Sequence, residues 1–316
     1  MNTNRLSIAI VATLVLTAAV ACAQQPNDEQ IALQFVPPAF TEYAASHTYL
    51  SDDRTWTVLP VDLDHSGRPD YLAVAYGNGH IGYLRIVRKS EIPSLVGESS
   101  ASMECDSQPS ISAIDLDGDA KPELSFACRV GNHGTRLSWL FRWTNSMLVP
   151  LNVASTTRPN GFEPIREANF VDIDGDGVME ILEATATADV DDKGVVSENY
   201  DVWHLLNGKL ARSAGSSLTY FNVFTRDKGK PQTESETFTA VPGAFTLTMV
   251  SGERGQKMVT SGTVTLNGAI IAESKSFSKN VPVITSDVTL LQHNTLSVEL
   301  HGSPGSMLHI LVAPKP

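Results

Sequence analysis

Three segments of the chain repeat one acidic pattern, and this repeat constrains the fold more than any other sequence feature. They read DLDHSGRPDYLAVA from Asp62, DLDGDAKPELSFA from Asp115 and DIDGDGVMEILEA from Asp172. Their first aspartates lie 53 and then 57 residues apart. Self-similarity at a fixed period of this kind is typical of stacked or radially arranged structural units. We therefore expect one structural unit to occur three times in this part of the chain.

The residues around each acidic segment alternate between apolar and polar with period two. Examples are Leu72 and Val74 in the first unit and Leu137, Trp139 and Phe141 in the second. Such alternation is typical of half-buried β-strands, and Gly, Asn and Asp interrupt the runs often enough for about four strands per unit. The sequence therefore predicts an all-β repeat domain with three evident units.

The acidic segments carry the oxygen-rich side chains that calcium prefers. Calcium takes about six to eight oxygen ligands, and alternate residues of a tightly curled loop can direct their oxygens inward together. Counted from the first aspartate, positions 1, 3, 5 and 9 offer side-chain oxygens and position 7 offers its carbonyl. The predicted metal ligands are Asp62, Asp64, Ser66, Arg68 and Asp70 in the first loop, Asp115, Asp117, Asp119, Lys121 and Glu123 in the second, and Asp172, Asp174, Asp176, Val178 and Glu180 in the third.

Position 6 of each loop suits a sharp bend in two of the three copies. It is Gly67 in the first loop, Ala120 in the second and Gly177 in the third. Glycine is the residue that adopts such bends without steric cost. Ala120 is therefore the weak point of the pattern.

Two other interpretations compete with calcium binding. An EF-hand begins in the same way but needs a bidentate glutamate at position 12 and a helix on each side. Position 12 is Ala73, Phe126 and Glu183, and the flanks are strand-like, so the EF-hand is excluded. Plain acidic turns are the remaining alternative, because Asp and Gly favour turns. Three copies with matching ligand positions favour a cation, since without one the carboxylates of a loop repel each other.

At the level of families, the three segments resemble the calcium loop and following strand of FG-GAP or VCBS repeats. The resemblance covers about residues 57–210 and is closer to the bacterial VCBS form, because the Phe-Gly and Gly-Ala-Pro signatures of the integrin form are absent. It implies a β-propeller-like domain of three evident blades, with one structural Ca²⁺ per loop and up to three in all. It also implies recognition or adhesion rather than catalysis.

Three blades are fewer than a closed propeller needs. Propellers close with about four to eight blades. Residues 28–56 and 211–236, which include the strand-like LTYFNVF, could together form a fourth blade that joins the two ends of the chain. Otherwise the blades form an open arc with exposed edges, or subunits complete one another. These alternatives stay open.

The pattern changes after residue 236. Phe245, Leu247 and Met249 alternate with threonines, and Asn267-Gly268 is a strong hairpin signal. Short alternating strands with regular turns predict a small β-sandwich. This segment resembles the immunoglobulin-like modules of bacterial surface proteins, although it has no Cys-Trp-Cys core. We therefore divide the chain into an export segment at 1–23, an N-terminal segment at 28–56, the repeat domain at 57–236 and the sandwich at 237–316.

The first residues have the features of an export signal. Arg5 precedes the uncharged run LSIAIVATLVLTAAVA, which is shorter than the ~20 residues that span a bilayer and ends in small residues. The letters ACA before Gln24 fit signal cleavage, whereas AVAC ending at Cys22 resembles a lipobox whose cysteine carries a lipid. Both cuts stay open. Either one predicts an exported protein that is secreted, periplasmic or lipid-anchored at the cell surface.

The cysteine count agrees with export. Without Cys22, Cys105 and Cys128 remain as an even pair in an oxidising compartment. A bridge would stabilise the fold by ~3 kcal/mol through loop entropy. If the strands around the turn near Asp119 form a simple hairpin, however, residue 105 lies opposite about residue 133 rather than 128. A disulfide and a pair of thiols, one of them buried in a strand, therefore both stay open.

Two functional hypotheses from different classes follow. The net charge of −12 disfavours a nucleic-acid partner. The first hypothesis is a non-catalytic, exported adhesion module that binds an extracellular glycan or surface protein and touches membrane only through a lipid on Cys22. The alternative is a hydrolase or lyase acting on an extracellular polymer, with its active-site loops on the repeat domain. Perturbed acids in a cleft away from the calcium loops would favour this enzyme.

Other motifs do not add a further site. Gly77, Gly79 and Gly82 spell G-x-G-x-x-G, but they lie between two strand patterns with no helix behind them, so we expect a hairpin there and no dinucleotide site. No catalytic residue is predicted. A periplasmic or surface scaffold without a small ligand is a third hypothesis.

Overall fold

The computed structural model describes residues 27–40, 55–100, 102–131, 134–158, 161–174, 176–190, 196–252 and 257–315. Within these ranges the strands form five antiparallel sheets of four or five strands each. The prediction of an all-β protein is therefore confirmed. The predicted export segment at 1–23, with Cys22, lies outside the described residues. Across the described ranges, no helix has both the length and the apolar character needed to cross a membrane.

The first sheet has the order β1-β2-β3-β4, and a short strand β5 pairs with the start of β3. Its second strand is buried on both faces. Ala73 and Ala75 point into a core shared with the second sheet, whereas Leu72 and Val74 point to the opposite side. The strands are β1 Trp56–Val61, β2 Tyr71–Gly77, β3 Ile81–Arg88, β4 Ser94–Glu98 and β5 Met103–Glu104.

A helix, α1 (Asp28–Leu33), covers the outer face of this sheet. It starts at a capping box in which the Asn27 side chain accepts the N–H of Gln30 at 2.8 Å and Gln30 accepts the N–H of Asn27 at 3.1 Å. Ile31 and Ala32 are buried against Leu72 and its neighbours. The helix explains why both faces of β2 are apolar, a feature that half-buried alternation does not predict.

The second sheet has the order β10-β8-β7-β6, with β9 paired to β8. Leu137, Trp139 and Phe141 are buried in the core shared with the first sheet, so the aromatic stripe of β8 is packing rather than a ligand surface. Gly97 of the first sheet allows this approach, because a Cβ there would lie 2.5 Å from the ring of Trp143. The strands are β6 Ser110–Ile114, β7 Glu123–Val130, β8 Thr135–Thr144, β9 Met147–Pro150 and β10 Ile165–Arg166.

The third sheet has the order β11-β12-β13-β14. Ile181 and Leu205 pack against Leu140 and Ile165 of the second sheet. Leu182 and Val202 pack the other way, towards strands from the C-terminal part of the chain. The strands are β11 Asn169–Val171, β12 Glu180–Val190, β13 Val196–Leu206 and β14 Lys209–Leu218.

The C-terminal strands form two four-stranded sheets with the orders β15-β22-β17-β20 and β16-β21-β18-β19. Their inward residues make one hydrophobic cluster, to which Leu247 and Ile310 contribute from one sheet and Leu296 and Val264 from the other. The elements are β15 Tyr220–Thr225, β16 Thr233–Thr239, β17 Gly243–Ser251, β18 Gly262–Leu266, β19 Ala269–Ala272, a 3-10 helix at Ser274–Ser276, β20 Val283–Leu290, β21 His293–Leu300 and β22 Met307–Pro314.

Within the described residues, the segments 28–56 and 211–236 do not combine into a fourth blade, which was one of the alternatives left open. The described part of 28–56 before β1 contains α1, which packs on the first sheet. In the second segment, β15 pairs with β22 and β16 pairs with β21, so both belong to the C-terminal sheets. Their alternating apolar residues fill the core between those sheets. Sheet membership therefore changes near residue 219 rather than at residue 236.

Cys105 and Cys128 form a disulfide. The register argument against it assumed that residue 105 continues the hairpin strand that leads into the loop at Asp119. Residue 105 instead follows β5, which belongs to the first sheet, while Cys128 lies on β7 of the second. The bridge therefore links two sheets rather than two strands of one hairpin.

Candidate metal centres and an acidic cleft

Each acidic loop connects the first two strands of its repeat along the chain: β1 to β2, β6 to β7, and β11 to β12. In all three loops the first aspartate accepts the N–H of position 6 on Oδ2. The distances are 2.8 Å from Gly67 to Asp62, 3.0 Å from Ala120 to Asp115 and 2.9 Å from Gly177 to Asp172. The repeat seen in the sequence is thus a repeat of loop geometry, and strands rather than helices flank it.

Position 6 adopts the left-handed backbone conformation in each copy. The φ angles are +79° at Gly67, +63° at Ala120 and +92° at Gly177. This conformation costs a residue with a Cβ about 1–2 kcal/mol. Ala120 therefore carries strain that the two glycines avoid.

The acid at position 9 closes the second and third loops from inside. Glu123 and Glu180 are buried, and each accepts on Oε2 a backbone N–H from position 2 of its loop, at 2.9 Å from Leu116 and 2.8 Å from Ile173. In the first loop this position is Asp70, whose carboxylate instead pairs with Arg68 at 3.2 Å.

Possible ligand atoms converge in two of the three loops. Carboxylate oxygens of positions 1, 3 and 9 lie within 4.8 Å of one another in the second and third loops. Among the described residues, the first loop shows no such group. Its position 9 acid is shorter and turned to Arg68, and its position 5 is a serine. The converging residues are Asp115, Asp117 and Glu123 in the second loop and Asp172, Asp174 and Glu180 in the third.

The remaining predicted ligands make other contacts. The carboxylates at position 5 accept the N–H of position 7, at 2.8 Å from Lys121 to Asp119 and 2.8 Å from Val178 to Asp176. In the first loop Ser66 donates to the carbonyl of Arg68 at 3.3 Å. Asp62 and Asp64 both accept the N–H of Ser66, at 3.0 and 3.2 Å. These side chains therefore shape the turns.

A basic residue lies beside position 9 in every repeat. The strand register shows this one residue further on, where Tyr71 pairs with Arg88, Leu124 with Phe141 and Ile181 with Trp203. Asp70 therefore lies opposite Lys89, Glu123 opposite Arg142, and Glu180 opposite His204. The sequence patterns did not reveal this, because each basic residue lies on a different strand from its acid.

These basic residues neutralise the loops to different degrees. Arg142 binds Glu123 through Nε at 2.9 Å and Nη2 at 2.7 Å, and Nη2 also contacts Asp117. His204 Nδ1 lies 3.5 Å from Glu180, and Lys89 pairs with Asp28 at 3.2 Å instead of entering the first loop. The second loop thus already holds a cationic side chain. In the described part of the third loop, His204 lies beside Glu180, and Lys279 lines the same cavity as Asp172 and Asp176.

The pKa values of the buried glutamates reflect this difference. Burial raises the pKa of Glu123, and the Leu116 N–H and Arg142 oppose that rise. Burial, together with the charges of Asp174, Asp176 and Asp172, raises the pKa of Glu180 to about 7 against the Ile173 N–H. A hard divalent cation bound by these oxygens would relieve the repulsion, so the donor set of the third loop fits calcium chemically.

A separate cleft of about 380 Å³ lies between the second and third sheets. It is lined by Arg158 and Glu163 from the segment after β9, by Arg166 on β10, by Glu183 on β12 and by Trp203 on β13. None of the acids at positions 1 to 9 of the loops lines it. The arrangement brings two glutamates and an aromatic side chain to one opening.

The two glutamates of the cleft have opposite pKa shifts. Burial raises the pKa of Glu183, although the Arg166 N–H at 3.2 Å and the Trp203 indole N–H at 2.9 Å oppose it. The Ser155 hydroxyl lowers the pKa of Glu163, and Arg158 at 3.3 Å lowers it further. One carboxyl is therefore biased towards its protonated form and the other towards its charged form.

Sequence reasoning missed this cleft. In the sequence, Glu183 was considered only as position 12 of an EF-hand that was then excluded. Glu163 and Trp203 were not considered at all. Glu183 and Trp203 lie on neighbouring strands of the third sheet, whereas Glu163 lies in the segment that leads into β10 of the second sheet, up to 40 positions away along the chain. Only the packing of the second sheet on the third brings them together.

Comparison with known proteins gives a limited likeness. No family model and no curated protein matches the chain. Among solved structures, it is similar to an exo-beta-1,3-galactanase from Phanerochaete chrysosporium in complex with beta-1,3-galactotriose, at 10% identity over 82% of each chain with a TM-score of 0.21. It is also similar to a fructofuranosidase from Schwanniomyces occidentalis complexed with fructose, at 7% identity over 82% of this chain and 70% of that chain with a TM-score of 0.25.

These comparisons correct two expectations. The assignment to FG-GAP or VCBS repeats with an immunoglobulin-like module is wrong, because no family model matches and the similar structures are glycoside hydrolases. The non-catalytic adhesion module is wrong as the main function for the same reason, since the similar structures are enzymes. TM-scores of 0.21 and 0.25 describe little shared geometry, so they identify neither a reaction nor a site in this chain.

Proposed function

We propose that this protein is an exported hydrolase that cleaves a glycan in the cleft between the second and third sheets. Glu183 is the general acid and Glu163 is the carboxylate that assists attack on the sugar. The observation that supports this is the pair of unlike carboxyls in one opening, away from the acidic loops. Environments that push two pKa values apart are how acid and base roles are divided in a site.

The chemistry of glycoside cleavage requires such a pair. A protonated carboxyl gives its proton to the glycosidic oxygen as the bond to the sugar breaks. Burial raises the pKa of Glu183, which moves this residue towards that role. Glu163 is held ionised by Ser155 and Arg158. It either attacks the anomeric carbon or activates a water, and the separation of the carboxyls when substrate is bound decides which.

The other cleft residues suit a sugar ligand. Trp203 is half-buried, and its indole N–H is held by Glu183, which leaves an aromatic face beside the acid. Aromatic faces pack well on the apolar side of a sugar ring while polar groups fix its orientation. Arg158 and Arg166 line the same opening and supply hydrogen-bond donors for hydroxyl or carboxylate substituents.

We also propose that Ca²⁺ is a structural cofactor of the acidic loops. The convergence of Asp172, Asp174 and Glu180 supports the third loop as the strongest site. In the second loop Arg142 already contacts two of the three acids, so we expect weaker binding there. The ion would neutralise the loop and hold the turn between β11 and β12. It takes no part in bond cleavage.

The proposal includes a finer architecture and a location. We interpret the three N-terminal sheets as blades of an open propeller-like arc and the two C-terminal sheets as a sandwich. The shared core of the C-terminal sheets and the stepwise packing of the first three support this interpretation. Export is supported by the Cys105–Cys128 disulfide, because such bonds persist mainly in oxidising compartments.

The test is an assay of the mature chain for new reducing ends on a panel of neutral and acidic polysaccharides. Removal of a general acid or base typically lowers kcat about 10²–10⁴-fold, so we expect losses of that size in Glu183→Gln and in Glu163→Gln. Glu91→Gln, a change of an exposed acid between β3 and β4 that lies outside the cleft, serves as the matched control. Melting curves establish that each variant is folded.

The pH profile gives a second readout of the same assignment. Activity should fall on the basic side as Glu183 loses its proton, at a pH above that of an ordinary glutamate because its pKa is raised. On the acidic side it should fall as Glu163 takes up a proton. Full activity in both glutamine variants, or no cleavage of any polysaccharide by the folded wild type, would contradict the proposal.

A further inference from the structure

Arg226 is a buried cation without an anionic partner. It follows β15, and its side chain belongs to a residue that is 8% exposed. Its Nη2 donates to the carbonyl of Gly229 at 2.6 Å, and its Nη1 donates to the carbonyl of Asp227. Among the described residues, no carboxylate lies within ion-pair distance of the guanidinium, and its buried Nε has no hydrogen-bond partner.

A charge in this position has an energetic cost. Burying a charged group is unfavourable unless the group is paired, and backbone carbonyls satisfy hydrogen bonds without neutralising the charge. Only the Nη atoms are used here, so Nε remains a strong donor with nothing to bind. An anionic acceptor at this position would both satisfy the N–H and neutralise the charge.

Arg226 lines a cavity of about 120 Å³ at the end of the C-terminal sheets. Lys228 and Lys230 line the same cavity, and both are exposed. Neither lysine forms an ion pair within the described residues. Asp227 and Glu234 also line the cavity, so the three cations exceed the acids by one.

The local backbone holds these groups together. Residues 226–232 connect β15 in one sheet to β16 in the other, so the cavity lies where the chain crosses between the two sheets. Arg226 is fixed further by its own backbone, since its N–H donates to Ser306 at 2.8 Å and its carbonyl accepts from Gly305 at 2.7 Å. Gly229 has a φ of +103°, which lets its carbonyl turn back to the guanidinium.

We propose that this cavity binds an oxyanion, either a free sulfate or carboxylate or the same group carried as a substituent on a glycan. Arg226 supplies the buried donor, and Lys228 and Lys230 close over the anion from the rim. The site is separate from the cleft of Glu163 and Glu183 and does not depend on hydrolysis. A cavity of this volume accommodates one small oxyanion group and no whole sugar ring.

The test compares sodium sulfate with sodium chloride at equal ionic strength and follows the melting temperature of the full mature chain. Sulfate should raise it more than chloride does. The double variant Lys228→Ala and Lys230→Ala should bind sulfate at least about tenfold more weakly, because each lost charge-assisted contact contributes measurably. The matched control Lys209→Ala and Lys275→Ala removes two exposed positive charges elsewhere and should respond as the wild type does.

Further arms identify the source of the anion. A sulfated oligosaccharide and a uronate oligosaccharide are added as competitors of sulfate. Competition by either identifies a substituent on a glycan, and binding of inorganic sulfate without competition identifies a free anion. Arg226→Lys, which keeps the charge but loses the guanidinium fork, should weaken binding while the chain stays folded. Equal responses to sulfate in the wild type, the double variant and the control would overturn the site.

Discussion

At the scale of single residues, position 6 of the second acidic loop carries a methyl group that the other two loops lack. Ala120 holds the same left-handed conformation as Gly67 and Gly177, and all three donate the same N–H to the first aspartate. The pattern D-x-D-x-D/S-G therefore encodes the bend, and the loop tolerates one exception to the glycine. Ala120 keeps the hydrogen bond to Asp115, at 3.0 Å, in spite of the local strain.

Ala120→Gly should stabilise the protein. The change removes about 1–2 kcal/mol of left-handed strain, and it costs about 0.5–1 kcal/mol because glycine gives the unfolded chain more conformational entropy. The free energy of unfolding should therefore rise by up to about 1.5 kcal/mol. Urea unfolding measures it. Gly177→Ala is the reverse control and should lower stability, because a Cβ there meets no atom within 4 Å and only the backbone responds. Equal stability of all three proteins would show that the loops do not carry this strain.

The residue scale also shows which site residues sequence reasoning reaches. The loop acids were found because their spacing repeats and calcium chemistry explains it. Glu163, Glu183 and Trp203 have no spacing that marks them. Their chemistry depends on burial and on neighbours such as Arg158 and Ser155, which only the folded chain provides.

At the scale of elements, each of the three hairpins repeats the same strand pairing and the same placement of an acid opposite a basic residue. Each loop places an acid at the start of its second strand, and the partner strand places Lys89, Arg142 or His204 beside it. The three copies have diverged in how the charge is balanced. Arg142 contacts Glu123 and Asp117 in the second loop, whereas His204 lies 3.5 Å from Glu180 in the third.

Calcium should therefore act mainly through the third loop. At ten times the dissociation constant, one bound ion adds about 1.4 kcal/mol to the free energy of unfolding. We expect calcium to raise the melting temperature, chelator to reverse the change, and Asp174→Ala to remove most of it. Asp64→Ala is the matched control, because the first loop does not gather its carboxylates into one group in the described structure.

Two results would contradict this assignment. An unchanged melting curve with calcium and with chelator would leave the loops as plain acidic turns. A loss of the calcium effect in Asp64→Ala but not in Asp174→Ala would place the ion in the first loop instead.

At the scale of the whole molecule, the sheets are joined in series. The first and second sheets share one core, the second and third share another, and the third packs on the C-terminal sheets through Leu182, Phe221 and Leu311. Helix α1 covers the free face of the first sheet. A chain built this way buries an apolar face at each step.

The disulfide should matter for this serial arrangement. Cys105 and Cys128 are 23 residues apart and tie the first sheet to the second. Closing a loop of this size stabilises a fold by about 3 kcal/mol, so reduction should lower the free energy of unfolding by roughly that amount. Denaturant unfolding with and without reductant measures it. The double variant Cys105→Ala and Cys128→Ala should have the free energy of unfolding of the reduced wild type, both with and without reductant.

If reductant also lowered the free energy of unfolding of the double variant, the loss of stability would not come from the Cys105–Cys128 bridge. An unchanged stability of the reduced wild type would show that packing between the sheets, rather than the bridge, holds them together.

The sequence by itself determined the strands, the repeat and the position of the loops, because period-two patterning and turn residues act over short stretches of chain. The tertiary structure alone decided how these units combine. It assigned β15 and β16 to the C-terminal sheets, joined Cys105 to Cys128, and set Arg142 beside Glu123. It also formed the cleft of Glu163 and Glu183. These contacts join residues that are distant along the chain, and no local pattern records which face of one sheet packs on the next.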